Sequence, residues 1–126
     1  MTPRRILVID DEEDIQEILQ TSLEIIAGWK VLKARSGLEG LAKAAAEQPD
    51  AILLDVMMPA MDGAATFKRL QADAATRHIP VILLTARVQS ADRRALGELG
   101  APGLIAKPFD PLTISHRIGA ILGWAG

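Results

Sequence analysis

The strongest constraint on the fold comes from three short runs of unbroken apolar residues. They are Ile6-Leu7-Val8-Ile9, Ala51-Ile52-Leu53-Leu54 and Val81-Ile82-Leu83-Leu84. Apolar runs of this length, lacking the alternation of a half-exposed strand, are the mark of strands covered on both faces. Two weaker strands complete the set. Lys30-Val31-Leu32-Lys33-Ala34 is studded with lysine, as edge strands often are, and Leu104-Ile105-Ala106 comes directly after Gly103.

Helical spacing fills the intervals. Ile15, Ile18, Leu19, Ser22 and Ile26 form a first stripe before Gly28, and Leu38, Leu41, Ala42 and Ala45 a second before Pro49. Ala64, Phe67 and Leu70 mark a third that begins near Gly63. Ala91, Ala95, Leu96 and Leu99 mark a fourth that ends at Gly100. Leu112, Ile114, Ile118, Ile121 and Leu122 give a fifth, opened by Pro111 and stopped by Gly123. Strand and helix alternate five times, which predicts an α/β class fold, a doubly wound (βα)5 sandwich around a five-stranded parallel sheet. With 126 residues, the expectation is a single domain over 1-126, with no linker, repeat or second domain.

Bulk properties narrow the function classes. The formal net charge is −2, which gives no general attraction to nucleic acid or to an anionic membrane surface. Arg4 and Arg5 run directly into the first strand and read as a solvated strand entrance. The chain has no cysteine, hence no disulfide framework and no thiolate metal site, which fits a cytoplasmic protein. No apolar run approaches a signal-peptide core or a membrane helix.

In a parallel sheet with right-handed crossovers, all strand C-termini share one edge, and that edge is where ligands bind. The first strand delivers Asp10 and Asp11 there, the third Asp55, the fourth Thr85 and the fifth Lys107 with Pro108 after it. Singly, each has an ordinary explanation as a helix cap, a strand former or a solvated loop charge. Those explanations give no reason for all four strand ends to carry chemistry on the same rim. Two carboxylates about 4 Å apart repel by about 4 kcal/mol at an effective dielectric of 20. Such a cluster destabilises the fold, raises one pKa or holds a divalent cation. An all-oxygen donor set favours Mg²⁺ over Zn²⁺. Asp55 can then attack as a nucleophile to give an acyl phosphate, with Thr85 and Lys107 on the phosphoryl oxygens. Glu12, Glu13 and Asp14 continue the acidic run, where the start of the first helix favours negative charge.

These residues resemble the receiver domains of two-component response regulators over essentially the whole chain. The carriers are "ILVIDDE", "ILLDVMMPAMDG", "PVILLTA" and "GAPGLIAKPF". Each is moderately specific alone, and in this order they are highly specific. The resemblance implies the strand order 2-1-3-4-5 and a phosphoacceptor switch, not an enzyme acting on an external substrate. It implies Asp55 as phosphoacceptor and Asp10, Asp11, Asp55 and the Met57 backbone carbonyl around Mg²⁺, with Mn²⁺ as a substitute. Of the acidic pair, Asp11 is the expected direct ligand. It further implies Thr85 as the switch hydroxyl, Ala86 as the residue keeping the phosphoryl site open, and Lys107 as the ion-pair partner. A cis bond is expected at Pro108, and Pro59 and Gly63 are expected to shape the approach to the site.

The implied partners are a histidine kinase or histidine phosphotransfer protein. A downstream effector would meet the face of the fourth helix, fifth strand and fifth helix, with a homodimer possible and no direct contact to nucleic acid or membrane. The sequence departs from the family at Leu104, where receivers commonly carry Tyr or Phe that rotates inward, so any signal here travels by backbone and helix shifts. Met57 and Arg87 flank the site without an acid or amide to orient water, which predicts slow dephosphorylation. His78 and His116 read as surface residues, with Arg117 beside the latter. An aspartyl phosphatase would need a general acid where Met57 stands, and no Gly-rich nucleotide motif succeeds any strand. A receiver that is never phosphorylated remains a further reading, against which every chemical position is intact.

Overall fold

The computed structural model describes residues 3–56, 63–85 and 100–124. Five strands, β1 (Arg5–Ile9), β2 (Lys30–Ala34), β3 (Ala51–Asp55), β4 (Val81–Thr85) and β5 (Gly103–Ala106), form one sheet of order β2-β1-β3-β4-β5. Every pairing is parallel. Lysine-bearing β2 lies at an edge, as its composition predicts. The described helices are α1 (Glu13–Ile26), α2 (Gly37–Glu47), α3 (Gly63–Ala72) and α4 (Ile114–Leu122). The fourth helical stretch of the sequence, Ala91 to Leu99, lies outside the described residues, so α4 is the fifth stretch.

The pleat sorts the core into two layers, because successive side chains in a strand point to opposite faces. Leu7, Ile9, Ile52, Leu54, Val81 and Leu83 pack on one face with Phe67 and Leu70 of α3. Ile6, Val8, Leu53, Ile82, Leu84 and Ile105 pack on the other with Leu19 and Leu23 of α1 and Ile114 and Ile118 of α4. Both faces are covered, which is why the strands read as continuous apolar runs. No described helix is long and apolar enough to cross a membrane.

Two helical stripes match expectation only in part: in the first, Ile15, Leu19 and Ser22 face the core as expected. In α1 the buried residues are Gln16, Leu19, Ser22 and Leu23, whereas Ile18 and Ile26 are 41% and 45% exposed. The inner face takes in Gln16, and keeps Ser22, because both polar side chains find partners inside. Gln16 donates to three main-chain carbonyls, and the Ser22 hydroxyl donates to the Pro111 carbonyl. In α2 the buried residues are Gly37, Gly40 and Ala44, with Leu38 exposed and Leu41 half-buried. Here the absence of a side chain sets the phase: a Cβ on Gly40 would stand 2.4 Å from Ile9 Cδ1. The helix axis thus comes close to β1, and its larger residues are left outside.

The ends of the helices reflect local chemistry. Ser36 caps α2 by accepting the Glu39 N–H at 3.1 Å, and the Glu39 carboxylate accepts the Arg35 N–H at 3.1 Å. That second bond, with smaller help from Lys43, holds the Glu39 carboxyl below its usual value. α4 begins at Ile114, three residues after Pro111, and Leu112 is exposed in the intervening turn. It stops at Gly123, whose φ of 72° only glycine adopts without strain.

Candidate functional site

Registration of the sheet brings the polar residues together. Ile9 pairs with Leu54, Asp55 with Leu84 and Thr85 with Ala106, so the four strand ends finish in line. Asp10 leaves β1, Asp55 closes β3, Thr85 closes β4 and Lys107 comes directly after β5. Asp10, Asp55 and Thr85 are buried to within 1% of completely, while Asp11 is exposed.

Asp10 is held through every polar group it has. Its N–H donates to the Ala34 carbonyl at 3.0 Å, and its own carbonyl accepts the Gln16 Nε2 at 3.0 Å. Its Oδ1 accepts the Glu12 N–H at 2.9 Å, a turn of the kind that launches helices, and its Oδ2 accepts Lys107 Nζ at 2.9 Å. The turn-former and the site residue are therefore the same side chain.

Lys107 Nζ also lies 3.4 Å from Asp55 Oδ1 and 3.7 Å from Glu12 Oε1. Burial alone would lower this ammonium. The hydrogen bond and charge of Asp10, with the charges of Asp55 and Glu12, outweigh burial and raise it above its ordinary value of 10.5. The Lys107-Pro108 peptide is cis.

Asp10, Asp11 and Asp55 each offer an oxygen, and these oxygens lie within 4.8 Å of one another. Among the described residues, three carboxylates face one inner ammonium, a balance that suits a divalent cation. The donors are all hard oxygens, the class that Mg²⁺ takes. The residues fit such an ion.

Gly63 opens α3 against the site. A Cβ there would stand 2.5 Å from both the Asp55 carbonyl oxygen and Val56 Cα, so only glycine lets the helix start this close to β3. Its N–H donates to the Val56 carbonyl at 3.1 Å. Leu104 is half-buried and packs against the core layer of α2 and α3, a packing role. His78 and His116 are exposed, the first in the loop before β4 and the second on α4. Met57, Pro59, Ala86 and Arg87 lie outside the described residues. Sequence reasoning did not single out Gln16. Its phase with Leu19 and Leu23, one turn after the acidic pair, is the signal that marks it.

Comparison with known proteins agrees with this geometry. A family profile described as the response regulator receiver domain matches residues 6–119. The alkaline phosphatase synthesis transcriptional regulatory protein PhoP of Bacillus subtilis is 42% identical over 119 residues, covering 94% of this chain and 48% of that protein. The response regulator PleD of Caulobacter vibrioides is 42% identical over 117 residues, covering 93% of this chain and 26% of that protein. Among solved structures, the chemotaxis protein CheY4 of Vibrio cholerae superposes with a TM-score of 0.87 at 29% identity, over 95% of this chain and 99% of its own. The chain spans about half the length of the curated transcriptional regulators it matches, and nearly all of the chemotaxis protein.

Proposed function

Because the chain belongs to the response regulator receiver family, we propose that Asp55 is the phosphoacceptor of a two-component switch. The donor is the phosphohistidine of a sensor kinase or of a histidine phosphotransfer protein. The observation that carries this reading is the Lys107 ammonium bridging Asp10 and Asp55 within a triad of converging carboxylates.

An Asp55 oxygen attacks phosphorus, the P–N bond to the donor histidine breaks, and an acyl phosphate forms. Lys107 then exchanges its contact with the Asp55 carboxylate for a phosphoryl oxygen while keeping Asp10. The Thr85 hydroxyl, at the neighbouring strand end, takes a second phosphoryl oxygen and so senses the modification. Asp10, Asp11 and Asp55, with the Met57 carbonyl, would hold Mg²⁺, or Mn²⁺ in its place. When bound, that ion supplies positive charge against the transferring oxygens. Ala86, with no side-chain bulk beyond Cβ, leaves the approach to Asp55 open.

Residues 1-126 act in this reading as one receiver unit in the cytoplasm. Output passes by protein contact through the face made by the fourth helical stretch, β5 and α4, to an effector or a second copy, without direct contact to nucleic acid. With Leu104 at the usual aromatic position, the displacement is carried by backbone and helix shifts. Incubation with Mg²⁺ and acetyl phosphate tests the reading by mass spectrometry. The expected result is a gain of one phosphoryl group, lost in Asp55→Asn. An unmodified wild-type chain refutes it.

A further inference from the structure

Gln16 is 97% buried on α1, yet its side chain serves the end of the sheet and not the helix. Its Nε2 lies 2.8 Å from the Ala34 carbonyl, 3.0 Å from that of Asp10 and 3.1 Å from that of Val8. A carboxamide has two N–H bonds, so three acceptors share them. They are the carbonyls where the β1–β2 ladder finishes, since Ile9 and Ala34 are its last pair. The amide thus continues the hydrogen bonding of the sheet past the point at which the two strands separate.

The bond to Asp10 has a consequence for its neighbour. The Asp10 carbonyl and the Asp11 N–H belong to one planar peptide unit. Holding that oxygen restricts rotation of the plane and therefore the direction in which the Asp11 chain leaves it. Asp11 is exposed, and no described side chain bonds its carboxylate, unlike that of Asp10. The described contacts restrain it through its two flanking peptides: the Asp10-Asp11 unit held by Gln16, and the Asp11-Glu12 unit, whose N–H donates to Asp10 Oδ1. The opposite end of the amide carries no comparable benefit: Gln16 Oε1 is buried and has no partner among the described residues. A buried acceptor left unsatisfied works against folding. An apolar side chain of the same length would avoid that defect but would strip the amide donors from the Val8, Asp10 and Ala34 carbonyls.

We propose that Gln16 is a positioning residue for the cation site, fixing the Asp10-Asp11 peptide so that the Asp11 carboxylate converges with those of Asp10 and Asp55. The proposal rests on the reading that this triad holds a divalent ion. It is an outer contact of the kind whose loss typically lowers metal affinity about tenfold or more.

The test is Mn²⁺ binding to the unphosphorylated full chain, monitored by the electron paramagnetic resonance signal of the free ion, beside thermal melting in EDTA. Gln16→Met removes the donors at similar volume. Leu23→Ala deletes core contacts on the same helix without touching Asp10. Gln16→Met should raise the Mn²⁺ Kd about tenfold, whereas Leu23→Ala should lower Tm more and leave Kd unchanged. The proposal is overturned if Gln16→Met binds like wild type, or if Leu23→Ala weakens binding as much. Absence of Mn²⁺ binding by wild type removes the metal reading itself and the proposal with it. Should Gln16→Met fail to fold, Gln16→Asn, whose shorter arm withdraws the donors, takes its place under the same criteria.

Discussion

Replacing Asp11 by Asn should stabilise the protein without metal and destabilise it, relative to wild type, with metal. Asp11 has an oxygen within 4.8 Å of one on Asp10 and one on Asp55. At that separation two like charges repel by about 1 kcal/mol in water and about 3.5 kcal/mol at an effective dielectric of 20. Asp11 is exposed, so the aqueous figure governs, and two such repulsions are relieved by the substitution. Lys107 offsets part of this through its attraction to Asp11, although no Asp11–Lys107 pair falls within ion-pair distance among the described residues. The net gain in EDTA is about 1 kcal/mol, a rise in Tm of about 3–5 °C for a chain of this size. Mg²⁺ at 100 times its Kd stabilises the wild type by about 2.7 kcal/mol. A variant lacking one of three carboxylates should recover little of that, so the order of stabilities inverts. Urea melts in EDTA and at increasing Mg²⁺ measure both arms. If Asp11→Asn is the less stable protein in EDTA, or if the two proteins respond equally to Mg²⁺, the electrostatic account of the triad is wrong.

Lys107→Met leaves Asp10 and Asp55 buried without their cation and should cost about 3–5 kcal/mol in EDTA by chemical denaturation. Because the folded-state pKa of Lys107 is raised, its stabilisation is complete below 10.5 and is lost as pH climbs through the higher folded value. Alkaline melting curves should show this loss in wild type and lack it in Lys107→Met. Gly40→Ala drives a Cβ against the movable end of Ile9 and should cost about 1–3 kcal/mol by urea denaturation. Gly63→Ala meets main-chain atoms of Asp55 and Val56, so it should cost more than Gly40→Ala and also slow phosphorylation by acetyl phosphate.

The sheet and the rim were legible because they are written in residue type. Apolar runs name the strands, and the polar residue at the end of each run names the site. Asp10, Asp55, Thr85 and Lys107 therefore needed no contact information to be brought together. The helix faces were less legible. The stripes assign Ile18, Ile26 and Leu38 to the core along with Leu19 and Ser22; packing keeps Leu19 and Ser22 but leaves the other three outside, and buries Gln16 and Gly40. Glutamine and serine are buried there because they reach carbonyls, and glycine because it contributes nothing that could clash. Neither reason has a hydropathy. The same blindness hid Gln16 from the reading of the site, since its partners are main-chain atoms from positions 8, 10 and 34.

The ion pair between Lys107 and Asp10 joins residues 97 positions apart, and this has a bearing on when the chain becomes competent. Closing so long a span carries an entropy cost that grows only slowly with length, but nothing repays it until the sheet between is in place. A fragment ending before β5 has Asp55 and Asp10 without the cation that ties them together. During synthesis Asp55 therefore emerges well before Lys107 can reach it. Assembly of the site is a report that the whole sheet has formed.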